Sequence, residues 1–334
     1  AGRINAITEL MGKCESTVYL FKNNHTGNLE VHKKGLESDA EIISGNHLYT
    51  LKGAEYTVFR HGTTEVAAVI VTDETGYGKA DNLPTGTYDI RETKAPDGYV
   101  LNTETDVVTV ESGGTVVYEC TDVAEKWKTE LLLEKLDAET GLPKAQGKAS
   151  LAGAEFVVRF YDVLSDTNPE EQGAEPLRQW HFQTDKDGKI RWQSEYLTEG
   201  DPLYLNGEDV VLPLGTITIQ EEKAPGGYLL NSDVFVICTG YQTDEAPTVG
   251  QILDKTTVAE QVVRGNLELV KVAGDSQKRL SHVPFRITSQ TTGESHILMT
   301  DVNGEGKTAE SDIWFGDGEA EKGKGRLPYD TYII

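Results

Sequence analysis

The feature that most constrains this chain is a phrase that occurs twice in full and once in part. Residues 83–102 read LPTGTYDIRETKAPDGYVLN, and residues 212–231 read LPLGTITIQEEKAPGGYLLN. A third copy, LPYDTYII, starts at Leu327 and stops with the chain, just before the Glu of the phrase would appear. Such self-similarity is typical of tandem modules, so the chain has to be read as repeats before any single motif is weighed.

Two further phrases precede each copy in the same order. The first ends in a lysine, as GNLEVHK (Lys33), TELLLEK (Lys135) and GNLELVK (Lys271). The second is LKGAEYTV, LAGAEFVV and, more loosely, LSHVPFRI. These phrases predict a tail or last strand of a preceding module in residues 1–26, module 1 in 27–125, module 2 in 126–257 and an incomplete module 3 in 258–334.

The phrases alternate apolar and polar residues, as half-buried β-strands do. Leu29 and Val31 share a face with Lys33, and the same alternation places Lys135 and Lys271 on apolar faces. Glu92 and Glu221 likewise fall on the apolar faces of their strands. Turn signals such as TDETGYG and TDKDG separate the strands, and no helical pattern lies between them. The chain is therefore predicted to be all-β, with sandwich modules.

A lysine and a glutamate aimed into a core are costly unless they interact. A buried salt bridge is one reading of each pair. A third inward group at the end of each module argues against a simple salt bridge. Asp122 follows an alternating strand in module 1, and Asp254 follows Ile252 in module 2. Glu119 has the opposite parity and fits less well.

The phrases E-x-K-A-P-x-G-Y and G-A-x-[FY], together with the first-strand lysine, resemble the collagen-adhesin B-type (Cna-B) domains of Gram-positive surface proteins and pilins. The resemblance covers nearly all of residues 27–334 and implies immunoglobulin-like or prealbumin-like sandwiches arranged in a rod. It also implies a spontaneous Lys–Asp isopeptide bond in each complete module, assisted by the glutamate. By resemblance, the roles fall on Lys33, Glu92 and Asp122 in module 1, and on Lys135, Glu221 and Asp254 in module 2. Lys271 would be the donor of module 3.

This chemistry is sound on general grounds. Burial lowers the pKa of a lysine and raises that of a carboxylic acid, which favours a neutral amine beside a protonated acid. Folding would hold the reacting groups in contact, so no separate enzyme is required. An aspartate acceptor would release water.

Composition narrows the partners. A formal net charge of −24 argues against nucleic acid and anionic membranes. The three cysteines are far apart and form no metal-binding or disulfide pattern, and no stretch is apolar enough to span a membrane. We expect no cofactor and no metal site; the start of a calcium loop at Asp185 reads better as a hairpin turn. The first residue is not Met, so we expect a monomeric fragment of a larger chain.

Module 2 is longer than module 1 and adds four aromatic residues. They are Trp180, Trp192, Tyr196 and Tyr204. They either form a core of longer strands or lie on an elaborated loop that binds a host extracellular protein or glycan. The principal hypothesis is a structural stalk or adhesin region on the cell wall of a Gram-positive bacterium. A host-binding module is the alternative, and an enzyme is disfavoured because no nucleophile–base set remains.

Overall fold

The computed structural model describes residues 25–241, 249–252, 256–318 and 324–334. Strands dominate this part of the chain, which confirms the all-β prediction. Its helical segments are short: one α-helical turn at Ala40–Ile43 and 3₁₀ turns at Glu37–Asp39, Pro169–Gln172, Ser194–Tyr196 and Thr308–Glu310. In the described ranges, no helix combines the length and apolarity needed to cross a bilayer.

Module 1 is a sandwich of two sheets. Its strands are β1 (Thr26–Gly35), β2 (Glu55–Arg60), β3 (Val66–Val71), β4 (Tyr77–Pro84), β5 (Gly86–Lys94), β6 (Thr105–Val110) and β7 (Thr115–Asp122). One sheet has the order β4-β1-β7 and the other β3-β2-β5-β6. The inward residues of both sheets, among them Leu29, Val31, Val58 and Ile90, form one buried core. The period-two alternation of the sequence is what supplies this core.

The first and last strands of module 1 lie side by side and run parallel. Lys33 on β1 is opposite Cys120 on β7, and Gly35 is opposite Asp122. A parallel pair cannot be joined by a hairpin and needs a long connection. In module 1 this connection contains all the other strands, β2 to β6. The two chain ends of the module therefore meet in one sheet.

Module 2 repeats this plan with additional strands. They are β8 (Lys126–Lys128), β9 (Leu131–Asp137), β10 (Glu155–Tyr161), β11 (Arg178–Gln183), β12 (Lys189–Arg191), β13 (Leu197–Gly200), β14 (Tyr204–Asn206), β15 (Asp209–Val211), β16 (Gly215–Lys223), β17 (Val234–Thr239), β18 (Val249–Gln251) and β19 (Thr256–Glu260). The two larger sheets have the orders β12-β9-β19 and β13-β11-β10-β16-β17, and β14-β15 and β18-β8 form two-stranded sheets. The first strand of the motif, β9, again runs parallel to the last, β19. Because β19 pairs with β9, we count it with module 2 through Glu260, although the sequence placed the boundary before residue 258.

Module 3 forms a smaller set of paired strands. They are β20 (Arg264–Gly265), β21 (Glu268–Val270), β22 (Pro284–Ser289), β23 (Ser295–Met299), β24 (Glu305–Lys307), β25 (Leu327–Pro328) and β26 (Tyr332–Ile333). Ile287, Leu298 and Phe315 are at the centre of its core. In the repeated Leu-Pro phrase, the Tyr332 hydroxyl donates to the Pro328 carbonyl at 2.8 Å, as the Tyr88 hydroxyl does to Pro84 at 2.5 Å.

Modules 1 and 2 are joined by a buried ion pair. The segment after β1 leaves module 1, and its Ile42 is part of the core cluster of module 2. Asp39 in this segment pairs with Lys126 Nζ at 2.5 Å, and both side chains are almost fully buried. Asp39 Oδ2 also accepts from the Ala124 amide at 2.9 Å. Two modules that share core and charge partners have little freedom to swivel at this junction.

Modules 2 and 3 are joined in a similar way. Glu139, in the segment after β9, pairs with Arg264 at 2.7 Å. Glu139 also accepts from the side-chain amides of Gln146 and Gln261. The Arg264 guanidinium lies 3.9 Å from the centre of the Trp314 ring, a cation–π geometry. The same segment of each module, the one after the lysine strand, thus contacts the next module.

Candidate functional site

The candidate site of module 1 is built around Lys33. Its side chain points into the core because it shares the inward face of β1 with Leu29 and Val31, and it is 1% exposed. The β1 backbone is fixed there by the turn before β4, since Lys33 N–H donates to the Gly76 carbonyl at 2.8 Å. Gly76 has φ +79°, and a Cβ at this position would collide with the Lys33 carbonyl. The turn glycine is therefore needed for this close approach.

Three groups surround the Lys33 amine, and they come from both sheets. Glu92 of β5 accepts from Lys33 Nζ at 2.6 Å, and the Tyr56 hydroxyl of β2 accepts at 2.9 Å. Asp122 of β7 is in direct contact with the same nitrogen. The side chains of Lys33, Glu92 and Asp122 are essentially inaccessible to solvent. The structure thus brings together all three residues that the sequence assigned to module 1.

Two carboxyl groups share one amine in this buried site, which disfavours ionisation of both acids. Burial, and next the charge of Asp122, raises the pKa of Glu92 above its ordinary value. Burial also raises the pKa of Asp122. Glu92 keeps a fixed orientation because its second oxygen accepts from the Asn102 amide at 2.9 Å. A protonated carboxyl beside an amine is the arrangement that amide formation requires.

Module 2 has a corresponding site around Lys135. Lys135 is fully buried on β9, and its Nζ donates to Glu221 of β16 at 2.5 Å. The second oxygen of Glu221 accepts from the Asn231 amide at 2.9 Å, which reproduces the contact between Glu92 and Asn102. Phe156 occupies the place of Tyr56, with its ring centre 5.0 Å from Lys135 Nζ. Burial lowers the pKa of Lys135 to about 8, although the hydrogen bond to Glu221 opposes the shift.

The acid at the third position of module 2 is Glu260, the last residue of β19. Its carboxylate is buried and in direct contact with Lys135 Nζ. The predicted acceptor, Asp254, lies outside the described residues, so its position relative to Lys135 stays a prediction. Alternation alone could not have singled out Glu260, because residues 254 and 260 have the same parity. The signal that could have found it is the strand register, which depends on tertiary structure.

Lys271 is the corresponding lysine of module 3. It follows β21 directly and is half-buried, and its amide donates to the Gly304 carbonyl at 2.9 Å, as Lys33 does to Gly76. Across the residues that the structure describes, no carboxylate forms an ion pair with its amine. The third phrase ends before the residue that would correspond to Glu92.

The aromatic residues added in module 2 belong mainly to its core. Trp180 and Trp192 are at most 1% exposed, Tyr204 is 3% exposed, and the two indoles pack edge to face. Tyr196 is half-buried and packs against the same cluster. This placement agrees with the interpretation of longer strands with their own core. It leaves little aromatic surface for a host ligand. Asp185 accepts backbone hydrogen bonds from Asp187 and Lys189, as a hairpin turn requires.

Sequence comparison gives a family match within module 1. Residues 43–124 match the family model of SpaA, a prealbumin-like fold domain, and this stretch contains Glu92 and Asp122. The match confirms the predicted resemblance to pilin-like domains and the prealbumin-like sandwich. No curated protein matches the sequence significantly.

Comparison of structures extends the fold assignment to most of the chain. The Bacillus anthracis TIE protein superposes with a TM-score of 0.56 at 23% identity, over 85% of this chain and 43% of the other. The chain thus spans less than half of that protein. Two further structures match more loosely. The C-terminal fragment of the pilus adhesin SpaC from Lactobacillus rhamnosus GG has a TM-score of 0.38 and 16% identity, over 71% of this chain and 98% of that one. BcpA, the major pilin subunit of Bacillus cereus, has a TM-score of 0.34 and 15% identity, over 84% of this chain and 83% of that one. At 23% identity, the similarity to the TIE protein bears on the fold alone.

Proposed function

We propose that this chain is a structural stalk or adhesin region of a Gram-positive cell-surface or pilus protein. In this proposal each complete module is closed by an intramolecular isopeptide bond. The observation that carries it is the Lys33 amine, buried between Glu92 and Asp122 where the first and last strands meet. A salt bridge alone gives no reason to place a second carboxyl at the same buried amine, whereas amide formation requires one. The match of residues 43–124 to a SpaA domain supports the same role.

The reaction in module 1 follows from the positions of its groups. The neutral Lys33 amine attacks the carboxyl carbon of Asp122, and a C–N bond forms. Glu92 accepts a proton from the nitrogen and returns one to the departing oxygen, so that water leaves and Glu92 is regenerated. Asn102 and the Tyr56 hydroxyl hold the participants in place. The reaction occurs once per molecule, so the proposal includes no turnover of an external substrate.

Covalent closure suits an extracellular protein that bears tension. The two described cysteines, Cys120 and Cys238, are free, so an amide would provide the cross-link that disulfides do not. An amide also resists reduction. We propose an extracellular, cell-wall-attached location on this basis, with the longer parent protein supplying attachment and any host contact.

The test is the intact mass of the purified chain after denaturation and reduction. The proposal expects a mass below the calculated value by one water for each bond formed. Digestion with trypsin then locates the module 1 bond, because Lys33 lies in residues 23–34 and Asp122 in residues 95–126. If trypsin cleaves after Lys33 and the peptide 95–126 is recovered alone, Lys33 and Asp122 form only an ion pair and the proposal fails.

A further inference from the structure

We infer that Glu260 is the acceptor in module 2, so that its cross-link is an amide between Lys135 and a glutamate side chain. The inference rests on the proposed function and assigns the second bond to a residue and a linkage type. The sequence pointed to Asp254, and the cross-link inferred from the resemblance uses aspartate or asparagine. A γ-glutamyl bond would make module 2 chemically different from module 1.

The register of the strands places Glu260 where module 1 has Asp122. Lys33 lies opposite Cys120, and the acceptor Asp122 is two residues further along. Lys135 lies opposite Val258, and Glu260 is again two residues further along. In both modules the lysine strand and the final strand are parallel, so this offset puts the two acids in corresponding positions.

Contacts that follow the acid support the same alignment. Two residues after Asp122, Ala124 forms an isolated bridge with Tyr99 of the A-P-x-G-Y phrase. Two residues after Glu260, Val262 forms the same bridge with Tyr228. Four residues after each acid comes the cation of the junction ion pair, Lys126 in one module and Arg264 in the next. The correspondence therefore holds over the whole segment and not at one residue alone.

The surroundings of Glu260 are those of a reactant. It is 1% exposed, and apart from the Lys135 amine no described group donates a hydrogen bond to either carboxylate oxygen. An ionised carboxylate left in this state is costly, and conversion to an amide removes the charge. Among the residues that the structure describes, Lys135 is the charged group that pairs with Glu260.

The amine has a matching arrangement. An ammonium group has three protons to donate, and the described acceptors of Lys135 are two, Glu221 and Glu260. Module 1 supplies a third acceptor in the Tyr56 hydroxyl, but its counterpart Phe156 has none. Burial lowers the pKa of Lys135 to about 8, which makes the neutral, nucleophilic form of the amine accessible.

The bond-forming step balances within the site. Lys135 Nζ bonds to the side-chain carboxyl carbon of Glu260, and one carbon–oxygen bond of that carboxyl breaks. Glu221 takes a proton from the nitrogen and delivers one to the departing oxygen, which leaves as water.

Trypsin digestion of the unmodified protein tests the assignment, because it separates the two candidate acceptors. A linked Lys135 resists cleavage and remains within residues 129–144. Glu260 lies in the peptide 256–264, whereas Asp254 lies in 224–255. We expect fragmentation spectra to show 129–144 joined to 256–264, with the loss of one water. The variant Glu260→Ala should lose this species and retain the link between 23–34 and 95–126.

The other outcomes overturn the inference in distinguishable ways. Joining of 129–144 to 224–255 would make Asp254 the acceptor and leave the proposed function intact. A linked module 1 beside an unlinked Lys135 would refute the inference and restrict the proposed bond to module 1. Absence of both links would refute the inference and the proposed function together. Because the decisive measurement uses the unmodified chain, a variant that fails to fold does not affect it.

Discussion

Replacement of Glu92 by glutamine tests the proposed Lys33–Asp122 bond of module 1 and isolates its contribution to stability. Glutamine has almost the same shape, and its oxygen can still accept a hydrogen bond from Lys33 or from the Asn102 amide, as Glu92 does. It cannot shuttle a proton, so the bond should not form, and Lys33 and Asp122 should remain an ion pair. The folded core is expected to be unchanged, and the unfolded chain gains freedom.

The expected loss of stability in Glu92→Gln follows from the length of the loop that the proposed bond would close. Lys33 and Asp122 are 89 residues apart. By the loop-entropy relation used for disulfides, closing a loop of this length stabilises the folded state by about 4–5 kcal/mol. For a module of this size, that corresponds to a fall in Tm of roughly 20–30 °C in the variant. An ordinary surface substitution changes the free energy of unfolding by only about 0.5 kcal/mol or less.

Intact mass and differential scanning calorimetry of the full chain form the assay. In Glu92→Gln, the difference between the calculated and observed masses should be smaller by one water than in the unmodified chain. The Tm of one component transition should fall by the stated amount. Glu119→Gln is the matched control, because Glu119 is exposed on β7, the strand that carries Asp122, and should change neither quantity. A variant that still loses the full mass would show that Glu92 is not needed for the reaction. An unlinked variant whose transition falls by only a few degrees would refute the entropy argument.

Three further predictions concern the junctions and the module 2 core. Lys126→Met leaves the buried Asp39 carboxylate without its cation, which should lower the free energy of unfolding by about 3–5 kcal/mol and speed amide hydrogen exchange at the junction. Asp39→Asn should have a milder effect. Equal exchange rates in the unmodified protein and both variants would contradict the assignment. Burial opposes ionisation of Glu139, but hydrogen bonds led by that from Arg264 hold its pKa below the ordinary 4.5. The stability that ionised Glu139 contributes should therefore be fully present above that value and lost as pH falls through the lower folded pKa. Amide hydrogen exchange at the junction of modules 2 and 3 should become faster over this pH range, and Glu139→Gln should not show that increase. Trp180→Ala should destabilise module 2 by about 3–5 kcal/mol in chemical denaturation, whereas an unchanged midpoint would favour a surface role for this indole.

Local sequence pattern was sufficient for the module 1 site. Alternation along single strands put Lys33 and Glu92 on inward faces, and the alternating run before Asp122 gave that residue the right parity. Each of these inferences needs only a period of two and a hydrophobic face. The supporting hydrogen bond from the Asn102 amide was missed, although the repeated L-N that ends each phrase was visible.

The remaining features depend on how distant segments meet. Asp254 and Glu260 share a parity, so only the pairing of β19 with β9 brings Glu260 to the lysine. The junction residue Asp39 and its partner Lys126 are 87 residues apart, so only the tertiary fold brings them together. The sequence alone did not decide whether Trp180 is buried or exposed, because an insertion has no second copy against which its pattern can be compared.

The positions of the proposed bonds and of the junction ion pairs together define a short path for tension. In module 1 the chain enters along β1, whose direction is parallel to β7, so a pull on both ends would shear the two strands apart if they were joined only by hydrogen bonds. A bond from Lys33 to Asp122 transfers the force across at that point and removes residues 34–121 from the path. Four residues later Lys126 is held by Asp39, which belongs to the segment just beyond the bonded lysine. A molecule that needed only stability could place its cross-link anywhere in the core. A cross-link between parallel terminal strands, followed at once by a buried junction pair, specifically limits extension, and that is the property a stalk requires.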